Sequence, residues 1–430
     1  MMYNFKLLLV LTTFLLLLSC SKPAEITEQN VTRIIQTLSA DNMKGRHAFS
    51  EEIHLAADFI SNEFDQIGLS PLPENSDFKQ EFTIHSVKPA EASISINGQN
   101  LENEYYFSLV LSEELNWTTG DASVKYISKE DSYRDKFSEF NDDDESSIIA
   151  VSTDHAKWFH RYRTYFGRSN RTFEINTSPN DIFVLADERI TEFDIDLEFD
   201  IEPIKLFNIV GMIEGERTDE IVLFSAHYDH IGVITPANED SVANGANDNA
   251  SGISGLIELA RYYESRDTPQ RTIYFVAFTA EEVGGYGSKY FSQQIEPEQF
   301  VTMINMEMIG KPATEGPNTA WITGFEHSSL GDILQESTQQ SDFEFYPDPY
   351  PSQNLFYRSD NAPFAEMGIP AHSISTTPID VDQDYHRVTD ELKTLHIPHT
   401  TNTIRAVAKA CETIISGEKT PTRIAEATQE

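Results

Sequence analysis

Hydrophobic positions from about residue 207 onward alternate between two patterns. The continuous apolar, β-branched runs at 221–224, 272–278 and 301–304 are typical of strands buried on both faces. Between and after them, residues 251–265 and 399–415 place apolar side chains three and four positions apart, which predicts helices. Such alternation predicts an α/β fold, a three-layer sandwich whose mostly parallel central sheet is flanked by helices.

The chain upstream of this region has two other patterns. Residues 26–68 show helical spacing that ends at Gly68, whereas residues 88–204 show short strand-like runs between polar clusters and predict a mostly β insert domain. Within 192–202, apolar residues alternate strictly with acidic ones, which is typical of a strand with one buried and one charged face. The predicted units are a signal peptide (1–20), the N-terminal part of the main domain (21–87), the insert (88–204), the rest of the main domain (205–418) and a polar tail (419–430).

The N-terminus predicts export. Lys6 precedes the apolar run 7–18, which is too short to span a bilayer but has the length of a signal-peptide core. The run ends at Ser19-Cys20, and a cysteine in this place resembles a bacterial lipobox, in which that cysteine carries the lipid. We expect a lipoprotein that is anchored through Cys20 on the periplasmic or cell-surface side of a membrane, with the outer membrane favoured. The alternative is an ordinary signal peptide that contains a cysteine. Cys411, at helical spacing among apolar residues, is then expected to be buried packing.

The charge of the chain limits the kinds of molecule that it is expected to bind. Seventy acidic against 31 basic residues give a net charge of −39, which disfavours nucleic acid and attracts cationic ligands. Most of this charge is interpreted as a solvated surface. The basic, aromatic stretch 157–171 inside the insert is interpreted as a solvated amphipathic segment, with a contact to substrate or partner as the alternative.

Metal-ligand side chains follow three of the predicted strands and open one predicted helix. His227 follows the first strand, Glu281 and Glu282 the second, and Glu307 the third, while Asp248 precedes the helix at 251–265. Because ligands bind beyond the carboxyl ends of the strands in open α/β sheets, we expect these five groups to converge. Imidazole with carboxylates favours zinc, and less often manganese or cobalt.

A single histidine with three carboxylates is an unusual zinc site, so a further histidine is expected from downstream. His386, in a polar loop before the last helix, is the best candidate. His230, His372, His396 and His399 remain alternatives on composition alone.

The order and spacing of these residues resemble the two-zinc (co-catalytic) aminopeptidase superfamily. That superfamily includes bacterial leucyl aminopeptidases, glutamate carboxypeptidase II-like peptidases and glutaminyl cyclases, and the resemblance covers roughly residues 30–87 and 205–416. The resemblance implies two zinc ions per chain and peptide substrates. It implies that His227 and Glu307 bind one zinc ion, that Glu282 and His386 bind the other, and that Asp248 bridges the two. Glu281 would be the general base.

The resemblance implies further roles around this set. Asp229 resembles the partner that orients the first histidine, and a cis peptide is implied between Asp248 and Asn249. Tyr357, close to the Ser-Asp-Asn segment 359–361, is a candidate for steadying the oxyanion.

Two positions depart from the family pattern. Glu307 stands where aspartate is frequent, and the extra methylene allows ligation but changes the reach of the carboxylate. Asn361 stands where histidine is usual. The insert at 88–204 occupies the place of the protease-associated domain of related peptidases.

The function expected from the resemblance is a zinc aminopeptidase. A glutaminyl cyclase is the first alternative, and the complete ligand set argues against it because such cyclases resemble one-zinc enzymes. A carboxypeptidase would need basic groups near the metals, and Arg358 and Arg387 keep it open. A binding protein on an inactive scaffold is opposed by the presence of Glu281.

Overall fold

The computed structural model describes residues 23–141, 143–167, 170–177, 179–237 and 240–425. The predicted signal peptide with Cys20 lies outside these residues, as does the end of the tail, so export and the lipid anchor stay predictions. Across the described ranges, no helix is long and apolar enough to cross a membrane.

Helices and strands alternate along most of the described chain. The helices are α1 Glu28–Leu38, α2 Ile53–Ile67, α3 Tyr133–Asn141, α4 Ala156–Phe166, α5 Gly252–Glu264, α6 Tyr286–Ser292, α7 Leu330–Thr338, α8 Ala362–Glu366, α9 Ile397–Ala410 and α10 Glu412–Ile415. The strands are β1 Lys79–Ile96, β2 Gln99–Asn100, β3 Tyr106–Leu109, β4 Glu114–Thr118, β5 Ser123–Ile127, β6 Ser147–Val151, β7 Asn170–Thr172, β8 Asp181–Leu185, β9 Phe193–Ile213, β10 Arg217–His227, β11 Val233–Ala237, β12 Asp240–Val242, β13 Arg271–Phe278, β14 Phe300–Met306, β15 Thr319–Ile322, β16 Glu344–Pro347 and β17 Ala371–Ser375.

The main sheet runs in the order β16-β15-β17-β14-β10-β13-β9-β1-β2. Its centre is parallel, because β10 pairs in parallel with both β13 and β14, and β14 with β17. The apolar runs at 221–224, 272–278 and 301–304 lie in these central strands. The predicted α/β fold with a mostly parallel central sheet is therefore confirmed.

Helices cover both faces of this sheet. On one face α1, α2, α5, α7 and α9 pack into the largest apolar cluster, and on the other face α6 and α8 pack around Phe291 and Phe364. The predicted helix at 251–265 is α5, and the last predicted helix is α9 continued by α10. Helix α2 is followed by Gly68, its C-terminal cap, whose left-handed φ of 99° favours a residue without a side chain. Cys411 is fully buried, as expected.

A long antiparallel ribbon of β1 and β9 leads from the main sheet to a second sheet. In β9 the side chains of Phe193, Ile195, Leu197 and Phe199 are buried while the acidic residues between them are exposed, which confirms the one-sided strand. The second sheet has the order β3-β8-β6-β5 and is largely parallel, and helices α3 and α4 pack against it.

Helix α4 is part of the stretch that the sequence describes as basic and amphipathic. Phe159 is buried, whereas Trp158 and Tyr165 are 46% and 77% exposed. Segment 88–204 thus contains helices as well as strands. Its assignment as a separate domain, and its likeness to a protease-associated domain, stay predictions.

Candidate metal centre

The predicted ligands lie at one edge of the main sheet because the central strands are parallel. His227 is the last residue of β10, and Glu307 directly follows β14. Glu281 and Glu282 follow β13 by three and four residues, and Asp248 lies in a π-helical turn, Ala246–Ser251, that leads into α5. The strand ends bring these side chains to the same point, as expected for an open α/β sheet.

Asp248 is shared by two donor sets. Its Oδ1 lies 3.3 Å from Nε2 of His227, and that nitrogen lies 3.3 Å from Oε1 of Glu307. Its Oδ2 lies 3.3 Å from Nε2 of His386, and that nitrogen lies 3.0 Å from Oε2 of Glu282. The structure thus brings together all five predicted ligands, one carboxylate oxygen of Asp248 facing each set.

The spacing of these donors fits zinc. Tetrahedral zinc with bonds of about 2.0–2.1 Å places neighbouring ligand atoms about 3.3–3.4 Å apart, and three of the four separations are 3.3 Å. The buried Nε2 of His386 finds no well-aligned hydrogen-bond partner although two carboxylates face it. An imidazole nitrogen left in this way among carboxylates is a donor suited to a cation. The site therefore accepts zinc on donor chemistry and on spacing.

The backbone around the centre is strained at three residues. Ala280 before Glu281, Met308 after Glu307, and His386 itself have left-handed φ values of 59°, 51° and 56°. Such values are uncommon for residues with a side chain and persist where the surroundings hold them. The implied cis peptide between Asp248 and Asn249 is present.

Buried carboxylates hold the loops that carry the ligands. Asp390 accepts the backbone N–H groups of Asn247 and Asp248 at 2.8 and 3.0 Å. Asp229 accepts those of Glu281 and Glu282 at 3.1 and 3.3 Å. Each carboxylate thus fixes a loop through two neighbouring amides.

The structure revises the role expected for Asp229. Nδ1 of His227 lies 3.1 Å from the backbone carbonyl of Asp229 and 3.9 Å from its carboxylate. The residue therefore orients His227 through its main chain, because its carboxylate is engaged by the amides of Glu281 and Glu282.

Burial and charge set the electrostatics of the centre. Desolvation raises the pKa of Glu281 well above its usual value, and the carboxylates of Glu282 and Glu307 raise it further, against the opposing effect of His227. Burial lowers the pKa of His386, but the neighbouring carboxylates of Asp248 and Glu282 outweigh this effect and raise the pKa of the imidazole to about 10. The excess of carboxylates thus gives the centre a strong affinity for positive charge.

Tyr357 is not part of the centre. Its side chain is 43% exposed and does not line the cavity that opens on the ligands. Tyr385 lines that cavity instead, with its ring stacked on His386 at a centroid distance of 3.9 Å. Burial and the carboxylates of Asp248 and Glu282 raise the pKa of the Tyr385 phenol, so its hydroxyl keeps its proton. The sequence signal for Tyr385 was its position directly before His386.

Of the four alternative histidines, three have partners or surroundings away from the centre and one reaches it. His372 is bound by Ser328 and by the carbonyl of Thr323, and His396 caps helix α9. His399 is buried in that helix, and neither ring nitrogen has a polar partner. His230 does reach the centre, with Nδ1 2.7 Å from Oε1 of Glu282. A second histidine following the same strand was the available signal for it.

Glu307 is held on its far side by Ser359. The serine hydroxyl donates to Oε2 of Glu307 at 2.9 Å and accepts from the amide of Asn305 at 3.0 Å. Asn361, where the resemblance implies histidine, is fully buried and donates to the carbonyls of Phe356 and Ala371. The segment thus supports Glu307, and Asn361 has a structural role.

Glu307→Asp should weaken zinc binding, although the resemblance implies that aspartate is acceptable at this position. The shorter side chain withdraws the carboxylate by about 1.5 Å, one C–C bond, from both His227 and Ser359. We expect the zinc affinity of the donor set of His227, Asp248 and Glu307 to fall about 10–100-fold, the range for a disturbed ligand environment. Chelator competition measures both affinities. Ser359→Ala, which keeps the carboxylate in place but removes the hydrogen bond, should have a smaller effect; an unchanged affinity in Glu307→Asp would contradict this account.

Comparisons with known proteins agree with this centre. The model of the family described as Peptidase family M28 matches residues 208–411. A probable zinc metalloprotease of Pyricularia oryzae is 40% identical over 92 residues, which are 21% of this chain and 18% of that protein. Aminopeptidase YwaD of Bacillus subtilis is 32% identical over 108 residues, 24% of this chain and 22% of that protein. The chain thus spans about a fifth of the length of these curated relatives.

A solved structure shares the fold over nearly the whole chain. The aminopeptidase from Aneurinibacillus sp. strain AM-1 superposes with a TM-score of 0.54 at 18% identity, covering 94% of this chain and 96% of that one. The family match includes the strands β10, β13 and β14 and the helix α5, which position the centre. The N-terminal helices and β1 lie outside it. Residues 208–411, which hold all five predicted ligands, thus match peptidase family M28.

Proposed function

We propose that this protein is a two-zinc exopeptidase, specifically an aminopeptidase that hydrolyses the N-terminal peptide bond of its substrates. One observation carries the proposal: Asp248 is shared by two zinc-compatible donor sets, and Glu281, which belongs to neither set, lines the same cavity. The arrangement supports hydrolysis because it supplies ligands and a separate proton acceptor side by side. The related proteins are zinc metalloproteases and aminopeptidases by name.

His227, Glu307 and Asp248 would hold one zinc ion, and Asp248, Glu282 and His386 the other. Zinc in such a site polarises the scissile carbonyl and lowers the pKa of water toward about 7. The protein contributes the positions of its donors, which the strained loops and the carboxylates of Asp229 and Asp390 fix before substrate arrives.

Glu281 is the proton carrier in this proposal. Its raised pKa suits a group that accepts a proton from the attacking water and then gives it to the leaving amine. Its backbone amide is tied to Asp229, so the carboxylate keeps its place in the cavity. The Tyr385 hydroxyl, protonated and on the cavity wall, is suited to donate a hydrogen bond to the developing oxyanion.

The cavity supports an N-terminal residue as the group recognised. Its carboxylates attract the amino terminus of a peptide, and Met308, Trp321, Leu355 and Ile379 form an apolar part of the wall that suits an apolar side chain. The centre does not favour the cyclase alternative, because a one-zinc reaction would leave one of the two donor sets without a role.

The test is a zinc count combined with a substrate panel. The purified chain should bind two zinc ions, release the N-terminal residue of aminoacyl amides and peptides, and lose this activity with a chelator. Cyclisation of N-terminal glutamine with one zinc ion bound, or release of C-terminal residues from peptides with a blocked N-terminus, would overturn the aminopeptidase proposal.

A carboxylate-recognising exopeptidase is a second candidate because of Arg358. Of the described residues, it is the one arginine or lysine that lines the cavity, and no ion pair within the described chain engages it. Arg387 does not line the cavity. A free substrate carboxylate, at the C-terminus of a dipeptide, would be a suitable partner for the Arg358 guanidinium.

Arg358→Gln should distinguish the substrates. A hydrogen-bonded charge of this kind contributes about 1.5–3 kcal/mol, so KM for free dipeptides should rise about tenfold or more, while KM for aminoacyl amides changes little. Arg387→Gln is the matched control and should leave both values near those of the wild type. Equal effects of Arg358→Gln on both substrate types would exclude carboxylate recognition by this residue.

The same proposal places the enzyme outside the cytoplasm, tethered through a lipid on Cys20. Its support is the apolar run 7–18 followed by Ser19-Cys20. A peptidase held there would act on peptides near the membrane.

A further inference from the structure

His230 contacts the centre in a way that the proposed ligand roles do not use. Its ring is fully buried, and Nδ1 lies 2.7 Å from Oε1 of Glu282. The other oxygen of that carboxylate, Oε2, faces Nε2 of His386 at 3.0 Å. The two oxygens of Glu282 are thus divided between two histidines, and only Oε2 is turned toward a donor set that includes Asp248.

The distances distinguish a hydrogen bond from joint metal ligation. Two atoms bound to one tetrahedral zinc lie about 3.3 Å apart, whereas 2.7 Å is a short hydrogen-bond length between a nitrogen and a carboxylate oxygen. Nδ1 of His230 also lies 3.7 Å from Oδ2 of Asp248, farther than Nε2 of His386 at 3.3 Å. His230 is therefore placed as a donor to Glu282.

The second nitrogen of the ring agrees with this role. Nε2 of His230 is buried and has no hydrogen-bond partner. A proton on Nδ1 satisfies the carboxylate and leaves Nε2 as the unprotonated nitrogen, which costs less in a buried place than an N–H without an acceptor. The tautomer that donates to Glu282 is thus the one that the surroundings favour.

The ring is also held in place by the main chain around it. The amide of His230 donates to the carbonyl of Arg46 at 3.1 Å. Gly245, with a left-handed φ of 58°, lies against the imidazole so closely that a β-carbon there would be 2.6 Å from Cδ2. A side chain at position 245 would displace the ring, so the fold reserves this space for it.

We infer that His230 is a positioning residue, which fixes Glu282 through Oε1 so that only Oε2 is offered to the zinc ion bound by Asp248, Glu282 and His386. The inference rests on the proposed two-zinc function. Hydrogen-bonding partners of metal ligands restrict their orientation, and their loss costs about 10–100-fold in metal affinity. The effect should be confined to this zinc site, because His227 and Glu307 make no contact with His230.

Three substitutions separate this role from ligation. Asparagine places an amide N–H near the position of Nδ1, glutamine places it nearer that of Nε2, and alanine has no donor. We expect His230→Ala and His230→Gln to weaken one zinc ion about 10–100-fold and to leave the other unchanged, while His230→Asn stays within about threefold of the wild type. Both affinities are measured by chelator competition in the full chain, and cobalt absorption spectra report the ligand field of each site.

His399→Asn is the control for loss of a buried imidazole, since the His399 ring has no polar partner, and it should leave both affinities unchanged. Equal zinc affinities in His230→Ala and the wild type would overturn the inference, as would a His230→Asn variant as weak as His230→Ala, which would make the imidazole itself a ligand. Weakening of both sites in His230→Ala would indicate a general structural effect and also overturn it. A wild-type chain that binds fewer than two zinc ions would instead overturn the proposed function on which the inference depends.

Discussion

Glu281→Gln is expected to abolish most of the turnover while the zinc content stays that of the wild type. Glu281 lines the cavity beside the ligands but belongs to neither donor set. Glutamine keeps the size and the backbone contacts of the residue and cannot accept the proton of the attacking water. General acid–base catalysis contributes about 10²–10⁴-fold, so kcat should fall by that factor with KM little changed. Steady-state kinetics together with zinc analysis of the same preparation measure the result.

The adjacent carboxylate provides the contrast. Glu282→Gln removes a charged ligand 3.0 Å from His386, so this variant should lose one zinc ion as well as activity. Substantial turnover by Glu281→Gln would assign the proton transfer to another group. Loss of zinc in that variant would mean that Glu281 is itself a ligand.

The sequence was sufficient for the parts of the centre that strand topology determines. His227, Glu282 and Glu307 follow central strands, and parallel strands end at one edge whatever the connections between them. The α/β fold was predictable because its central strands are buried on both faces and therefore appear in the sequence as continuous apolar runs. The helices of segment 88–204 were missed because α3 and α4 are short and rich in charged and aromatic residues.

Loops and hydrogen-bond partners were less predictable. Asp229 was correctly associated with His227, but a sequence does not show whether the carboxylate or the backbone carbonyl makes the contact. Tyr357 and Tyr385 both precede segments of interest, and only the folded loop places Tyr385 against His386. His230 could not be distinguished from other histidines by composition, because its role depends on which oxygen of Glu282 it meets.

Arg46 lies outside the centre, and its loss should strongly destabilise the protein. Its guanidinium is fully buried and donates to four backbone carbonyls, at 2.6–2.9 Å. These belong to Leu38, Tyr228, Asn244 and Gly245. Tyr228 follows His227, and Gly245 precedes the turn that carries Asp248, so one side chain connects the two loops. Burial lowers the pKa of Arg46 to about 10, and carboxylates of the centre oppose this effect, so the charge remains at neutral pH.

Arg46→Met should lower the free energy of unfolding of the metal-free protein by about 3 kcal/mol or more, because each buried acceptor left without a donor costs about 1–3 kcal/mol. Urea denaturation with and without zinc measures this loss of stability. The affinity for zinc should fall at both donor sets together, since both loops lose their support. Arg33→Met is the matched control: that arginine pairs with Glu63 from a side chain that is 44% exposed, and Glu63 keeps Arg261 as a partner at 2.9 Å. A cost of about 1 kcal/mol or less is expected there. Equal losses in the two variants would show that the buried guanidinium has no special role in holding the loops of the centre.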